Sequence, residues 1–230
     1  DEAKLLGFFK RPSVTLSQYQ GQELNEAIER HIHRFYSNVD RRTRVEHQKH
    51  ITELVASGFP LREVCANPLT LRMLFSLYAP QEPPSEVNVF DLYRKYWNQR
   101  VASDTRAGAL EFSKGSSNLE SIAHFSSLTM LAEGKPELAE ATLANGIRSL
   151  EGSTAELEEI VQRGVIHKQG TGTIAFFHQT FFEHSAARGM LSRYGVAGLL
   201  LLYRRLEARP NDLFLSPIFE QALLLAEERI

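Results

Sequence analysis

The chain has 230 residues, of which 43% are apolar and 23% charged, and a formal net charge of −2. That apolar share is enough for a sizeable core and excludes a disordered chain. The near-neutral balance argues against duplex nucleic acid as the principal ligand.

One cysteine, Cys65, excludes an internal disulfide framework and suits a reducing, cytoplasmic compartment. The longest apolar run, Val196 to Tyr203, is far shorter than the roughly 18 residues a membrane span requires. The opening DEAKLLGFF lacks an initiator Met and the basic start of a signal peptide, so the chain reads as a segment of something longer.

In chain order, Ser13 to Leu16 alternates polar and apolar residues after Pro12 and predicts a short strand. Leu24, Ile28, His31, Ile32 and Phe35 then fall at helical spacing and predict a helix from Gln22 to Tyr36. A second helix carries Ile51, Leu54 and Val55 and stops at Gly58, before Pro60. After a short helix, Leu61 to Ala66, Asn67 is a good cap and Pro68 suits the first helical position, where a missing N–H costs nothing. The helix from Pro68 to Tyr78 is apolar almost all round and must be buried. Pro80 to Ser85 cannot continue it and reads as a domain boundary.

Beyond that break, Asn88 caps VFDLYRKYWNQRVAS, with Phe90, Tyr93 and Trp97 on one face. A loop from Ala107 to Ser117 precedes a helix opened by the Ser117–Glu120 capping box and running through Leu131. Glu137 to Leu150 predicts one helix or two short ones, and a second capping box, Ser153–Glu156, starts TAELEEIVQRG. GVIHKQGTGTIAFFH has β-formers on both sides of a Gln-Gly-Thr-Gly turn, a hairpin signal. A helix from His178 to Tyr194 and two further apolar helices close the chain. The fold class expected is therefore mainly α, a helical bundle followed by a winged-helix domain with one small β-hairpin.

Negative findings narrow the chemistry. No G-x-x-x-x-G-K-[ST] loop and no acidic strand for magnesium occurs, so the chain alone lacks the parts that hold Mg-ATP. Lys114-Gly115-Ser116-Ser117 has its lysine on the wrong side of the glycine. Two histidine pairs, His47 with His50 and His31 with His33, have no nearby cysteine and read as helix-surface residues before metal ligands. Arg41, Arg42 and Arg44 are flanked by Asp40 and Glu46 and read as a solvated helix start. No catalytic triad elbow is present. His178, at a strand-to-helix junction, reads on its physics first as a helix cap among core phenylalanines. A second reading has its imidazole and unpaired backbone N–H groups face an anion.

ANPLTLRMLFSLY, a Pro-rich gap, VFDLYRKYWNQRV and RGVIHKQGTGTIAFFHQTFFEHSAA together resemble the region after the nucleotide-binding core of NACHT proteins of the STAND class. There a helical domain carries an N-P-L type motif and a winged helix an F-x-H-x-x-F-x-E-x-x-A type motif. The resemblance spans about Ser13 to Met190. It implies the tail of the core over 1–20, a helical domain over 21–80, a winged helix over 88–195 and a further helical region over 196–230. It implies that Pro68 packs near the adenine and that His178 contacts the terminal phosphate of bound ADP. The parent would bind ADP or ATP with magnesium held outside this segment. It would pair this segment with its own upstream nucleotide-binding core, and form a homo-oligomer on activation, in signalling or antiviral defence. A winged-helix nucleic-acid module and an inert helical scaffold are the alternatives. The acidic helix after Ser153, with Glu156, Glu158 and Glu159, weighs against nucleic acid.

Overall fold

A computed structural model describes residues 18–58, 60–102, 118–149, 154–170 and 172–227. They are mainly helical, with one small three-stranded antiparallel sheet. The strand expected over Ser13 to Leu16, most of the 1–20 segment, the loop ending at Ser117, and the capping serines Ser117 and Ser153 lie outside the described residues. The chain divides into two compact units, Asp1–Tyr96 and Trp97–Ile230.

In the first unit, α1 (Gly21–Phe35), α2 (Arg41–Ser57), α3 (Leu61–Ala66) and α4 (Pro68–Tyr78) pack together. Asp40 caps α2 by accepting from Thr43 N at 3.0 Å, and Arg42 pairs with Glu46 on the exposed side, the solvated helix start that the local charges imply. The greasy α4 buries Thr70, Leu71, Met73, Leu74 and Phe75, and the Phe75 ring packs on those of His31, Phe35 and Tyr36. The Pro-rich segment read as a boundary lies inside this unit. Tyr36 donates its buried hydroxyl to Gln81 O at 2.7 Å, and His47 Nδ1 lies 2.7 Å from Glu82 Oε1. Thus His47 is a tether, and His31 is stacked between Phe35 and Phe75 while its Nδ1 meets Ala27 O at 2.8 Å. Neither is the plain surface histidine its spacing suggested.

Helix α5 (Val89–Trp97) starts on Asn88, whose side chain accepts from Asp91 N at 2.8 Å. It passes into a single turn of π-helix, Asn98–Ala102, where an ordinary helix was expected.

The second unit then runs α6 (Asn118–Glu133), β1 (Glu137–Ala139), α7 (Glu140–Ser149), α8 (Thr154–Gln162), β2 (Ile166–Lys168), β3 (Thr173–Phe176) and α9 (Gln179–Tyr194). The sheet order is β1-β3-β2. Three helices, with one strand after the first and two strands after the third, make the element order of a winged helix-turn-helix. The hairpin forms where expected, Ile166 opposite Phe176 and Lys168 opposite Ile174. Gly172 closes its turn at φ +73, donating to Gln169 O at 3.1 Å. A left-handed backbone of that kind favours glycine.

A third strand joins the hairpin, and it replaces the start of the helix expected from Glu137. Glu137–Ala139 is not the start of a helix but pairs with β3, Leu138 opposite Ile174. Leu138 is buried and its neighbours exposed, the period-two pattern of a half-buried strand.

Helices α10 (Val196–Ala208) and α11 (Ser216–Glu227) pack on α9 and on each other. Gly198 permits this: a Cβ there would sit 2.8 Å from the Met190 carbonyl oxygen. The core of the unit is built on Trp97, Leu119, Ile122, Phe181, Phe182, Ala186 and Ile218. Ser185 ties α9 to α6 by donating to Ala123 O at 3.1 Å, with Ser127 Oγ 2.9 Å away.

Candidate functional site

The two residues singled out by sequence lie in different units, Pro68 in the first and His178 in the second. Pro68 occupies the first position of α4 and is half-buried. Asn67, in extended conformation, accepts from Leu69 N at 2.9 Å, so the proline starts the helix without carrying any of its capping bonds. Buried Thr70 closes the other side of the junction by donating to Val64 O and, at 3.2 Å, to Asn67 O.

His178 stands where β3 gives way to α9. Phe177 N donates to Val165 O at 3.1 Å, the last bond of the hairpin. His178 is extended (φ −152, ψ 145) and is the N-cap: its Nδ1 accepts from Thr180 N at 3.2 Å. Its carbonyl accepts from Phe181 N at 3.1 Å and Phe182 N at 3.2 Å.

These bonds narrow the anion reading. Of the first-turn amides, Gln179 N–H alone lacks a partner among the described residues, so no array of free N–H groups awaits an anion. Burial lowers the His178 pKa and favours the neutral ring. Because Nδ1 accepts, the ring proton sits on Nε2, which has no partner among the described residues. Protonation would turn Nδ1 into a donor facing the Thr180 N–H. The form compatible with the cap therefore donates through Nε2 while neutral.

Around the junction Phe176, Phe181 and Phe182 are buried, while Phe177 is only half-buried, its ring 4.9 Å from Phe181. Glu183, the acidic position of the F-x-H-x-x-F-x-E-x-x-A pattern, is also buried. Burial and the nearby Glu220 push its pKa up, although Gln179 donates to it at 2.9 Å.

A polar cluster that sequence reading missed lies one turn further along α9. Trp97 donates its indole N–H to Glu120 Oε1 at 3.1 Å, and Arg188 donates to the same oxygen at 2.7 Å. The Arg188 guanidinium lies over the Trp97 ring at 5.5 Å, and His124 stacks on that ring at 5.7 Å. His184 meets its edge and approaches Gln221 Oε1 at 3.3 Å. Burial holds both histidines at about 4, neutral at physiological pH. Burial alone would raise the Glu120 pKa, but the Arg188 and Trp97 hydrogen bonds outweigh it and the net shift is downward. The signal was available as spacing: Phe181, His184 and Arg188 share one face of α9, and Glu120 and His124 one face of α6.

Among the described residues, the β2–β3 hairpin and the helix before it carry paired or acidic groups. Lys168, in the wing, is bound at 2.8 Å by both Glu140 and Glu158. Helix α8 carries Glu156, Glu158 and Glu159, and the buried Arg163 just beyond its end is paired with Glu159. Among the described residues no group of three His, Cys, Asp or Glu side chains is arranged to hold a metal, and no helix is long and apolar enough to cross a membrane. No protein-family model matches the chain, and no curated protein matches it.

Proposed function

We propose that this chain is the regulatory helical and winged-helix segment of a NACHT-type signalling NTPase, one that holds ADP in a closed resting state and opens and oligomerises when ATP replaces it. The observation that carries the reading is His178. It caps α9 with one ring nitrogen and leaves Nε2–H without a partner among the described residues. A neutral imidazole in that state donates to a phosphate oxygen without disturbing the helix. The motif phenylalanines and Glu183 are buried around it, as residues fixing the angle of the ring would be.

The N-P-L start of α4 supports the same reading. Pro68 presents a rigid apolar ring at a helix start whose hydrogen bonds are supplied by Asn67. A ring free of capping duty is available to lie against a base. The nucleotide and its magnesium would be held mainly by the phosphate loop and acidic strand of the upstream core, with this segment adding a contact that exists in one state only. The protein would then work in the cytoplasm, in immune or antiviral defence.

The test uses the full-length protein purified with its nucleotide. His178→Asn keeps a strong N-cap and removes the Nε2–H donor. Loss of retained ADP together with trigger-independent signalling, at unchanged melting temperature, is the expected result. Unchanged ADP content would overturn the role given to His178.

A further inference from the structure

Helices α6 and α10 both end at one cleft of the second unit, about 440 Å³ in volume. Its apolar lining includes the buried Leu131 and Leu215 and the half-buried Phe214, whose ring stacks on that of Phe182 at 5.3 Å. A smaller hollow of about 170 Å³ adjoins it along α6, α9 and α10, and Leu131, Ala132 and Arg205 line both. Apart from Arg205 and the Tyr194 hydroxyl, the side chains of that hollow are apolar, Leu128, Met190 and Leu202 among them. Small-molecule sites have this size and this make-up, apolar for the most part with a few convergent polar groups.

The charged groups are gathered in the larger hollow, and they carry both signs. Arg205 and Arg209, one turn apart, line it together with Glu133 and Asp212. The turn before α11 fixes Asp212, whose Oδ1 accepts from Phe214 N at 3.0 Å and Leu215 N at 3.1 Å. Its Oδ2, both guanidinium groups and the Glu133 carboxylate have no hydrogen-bond or salt-bridge partner among the described residues. The last-turn carbonyls of α6 and α10 add partial negative charge at the same place. A purely anionic ligand would meet two acids and two helix C-termini, and a purely cationic one two arginines. A ligand with both signs close together satisfies each set, and an apolar tail on it fills the smaller hollow.

We infer that this cleft binds a small zwitterion with an apolar side chain, an α-amino acid of the leucine type. Arg205 and Arg209 take the carboxylate, and Asp212 and Glu133 take the ammonium, through charge-assisted hydrogen bonds. The side chain lies in the apolar hollow beside Leu128, Met190 and Leu202. The site uses neither Pro68 nor His178 and is independent of any nucleotide.

The test is an NMR titration of the 230-residue chain with isotope-labelled methionine methyls, in which Met190 reports on the smaller hollow. Circular dichroism verifies that each variant is folded. L-Leucine is expected to shift the Met190 methyl with a dissociation constant of about 1 mM, in keeping with so few atoms. Isocaproate has the same tail without the ammonium, and isoamylamine has it without the carboxylate. Each is expected to bind roughly tenfold more weakly, as is L-alanine, which keeps the charged head and loses the tail. Arg205→Gln with Arg209→Gln forms one variant and Asp212→Asn a second, the latter keeping a carbonyl oxygen for the turn. Both are expected to weaken leucine binding roughly tenfold. Ala132→Trp, at an exposed position lining both hollows, is expected to abolish it at unchanged melting temperature. A Met190 methyl that leucine leaves unmoved at every concentration would overturn the inference. So would isocaproate or isoamylamine binding as tightly as leucine, or any of the three folded variants binding leucine as the wild type does.

Discussion

At Pro68 and at His178 a helix begins, yet the hydrogen bond that starts it comes from a different place in each. At α4 the cap is Asn67 and the singled-out residue is its neighbour, which contributes a fixed φ and a ring surface. At α9 the singled-out residue is itself the cap, with one nitrogen used by the fold and the other unpartnered. Fold and binding are therefore separable by residue at the first junction and only by atom at the second. An alanine at 178 removes two things at once, an alanine at 68 only one.

The largest expected effect tests the units behind those junctions. His124 and His184, both in the second unit, are held by burial at about 4, below the ordinary 6.5. From pH 6.5 down to about 4 the unfolded chain takes up protons that the folded unit refuses. Stability is then fully present above 6.5 and falls as the pH drops through that window. Each unit of displacement is worth about 1.4 kcal/mol, so the pair costs several kcal/mol at pH 4.5 relative to pH 7. Trp97 is the chain's only tryptophan, and its fluorescence reports the second unit alone. Urea titrations followed at Trp97 are expected to show this loss, and His184→Leu to shrink it. Equal midpoints at pH 7 and pH 4.5 would contradict the burial argument.

Next in size is His178→Ala. In the isolated chain it is expected to cost about 1 kcal/mol, the value of a lost N-cap. In the nucleotide-bound full-length protein it is expected to weaken ADP retention by a further 1.5–3 kcal/mol, roughly the worth of a hydrogen bond to a charged group. His178→Asn should keep the first quantity near zero and reproduce the second. If Asn behaves as Ala in both assays, the atom-by-atom separation fails.

At the other junction Asn67→Ala is expected to cost about 1 kcal/mol of stability. Pro68→Ala should be close to neutral, since alanine is a good helix former at the same position. Thermal melts of the two variants settle the order, and a Pro68→Ala loss exceeding that of Asn67→Ala would assign the capping role wrongly. Smallest of all is the nucleotide affinity of the chain alone. Without a phosphate loop, calorimetry with ATP or ADP should detect no binding, and micromolar affinity would demand a site that neither junction supplies.

Much of this was legible from residue order, because local physics dictated it. The Asn67-Pro68 start, the Gly58 stop, the Gln169–Gly172 turn and the capping reading of His178 each depend on neighbours within four residues. What stayed hidden depends on distant partners. Glu137-Leu138-Ala139 is composed of helix formers and becomes a strand only through pairing with residues 173–175. The cluster around Trp97 draws on α5, α6, α9 and α11, and no window of sequence contains it. His47 looked like a surface residue because its partner, Glu82, is 35 positions away.

Residues 100 and 163 show how such distances shape the order of events in folding. Arg100 donates to the Arg163 carbonyl at 3.1 Å, and Arg163 donates back to the Arg100 and Val101 carbonyls at 3.2 and 3.4 Å. The exchange closes a loop holding α6, β1, α7 and α8, and the entropy of that closure must be met before any of its bonds form. The β2–β3 hairpin, by contrast, closes within a dozen residues and needs no such wait. Weakening the arginine exchange should therefore leave the refolding rate nearly unchanged and speed unfolding instead. Arg100→Ala is expected to act in that way, raising the unfolding rate in stopped-flow urea jumps more than it lowers the refolding rate.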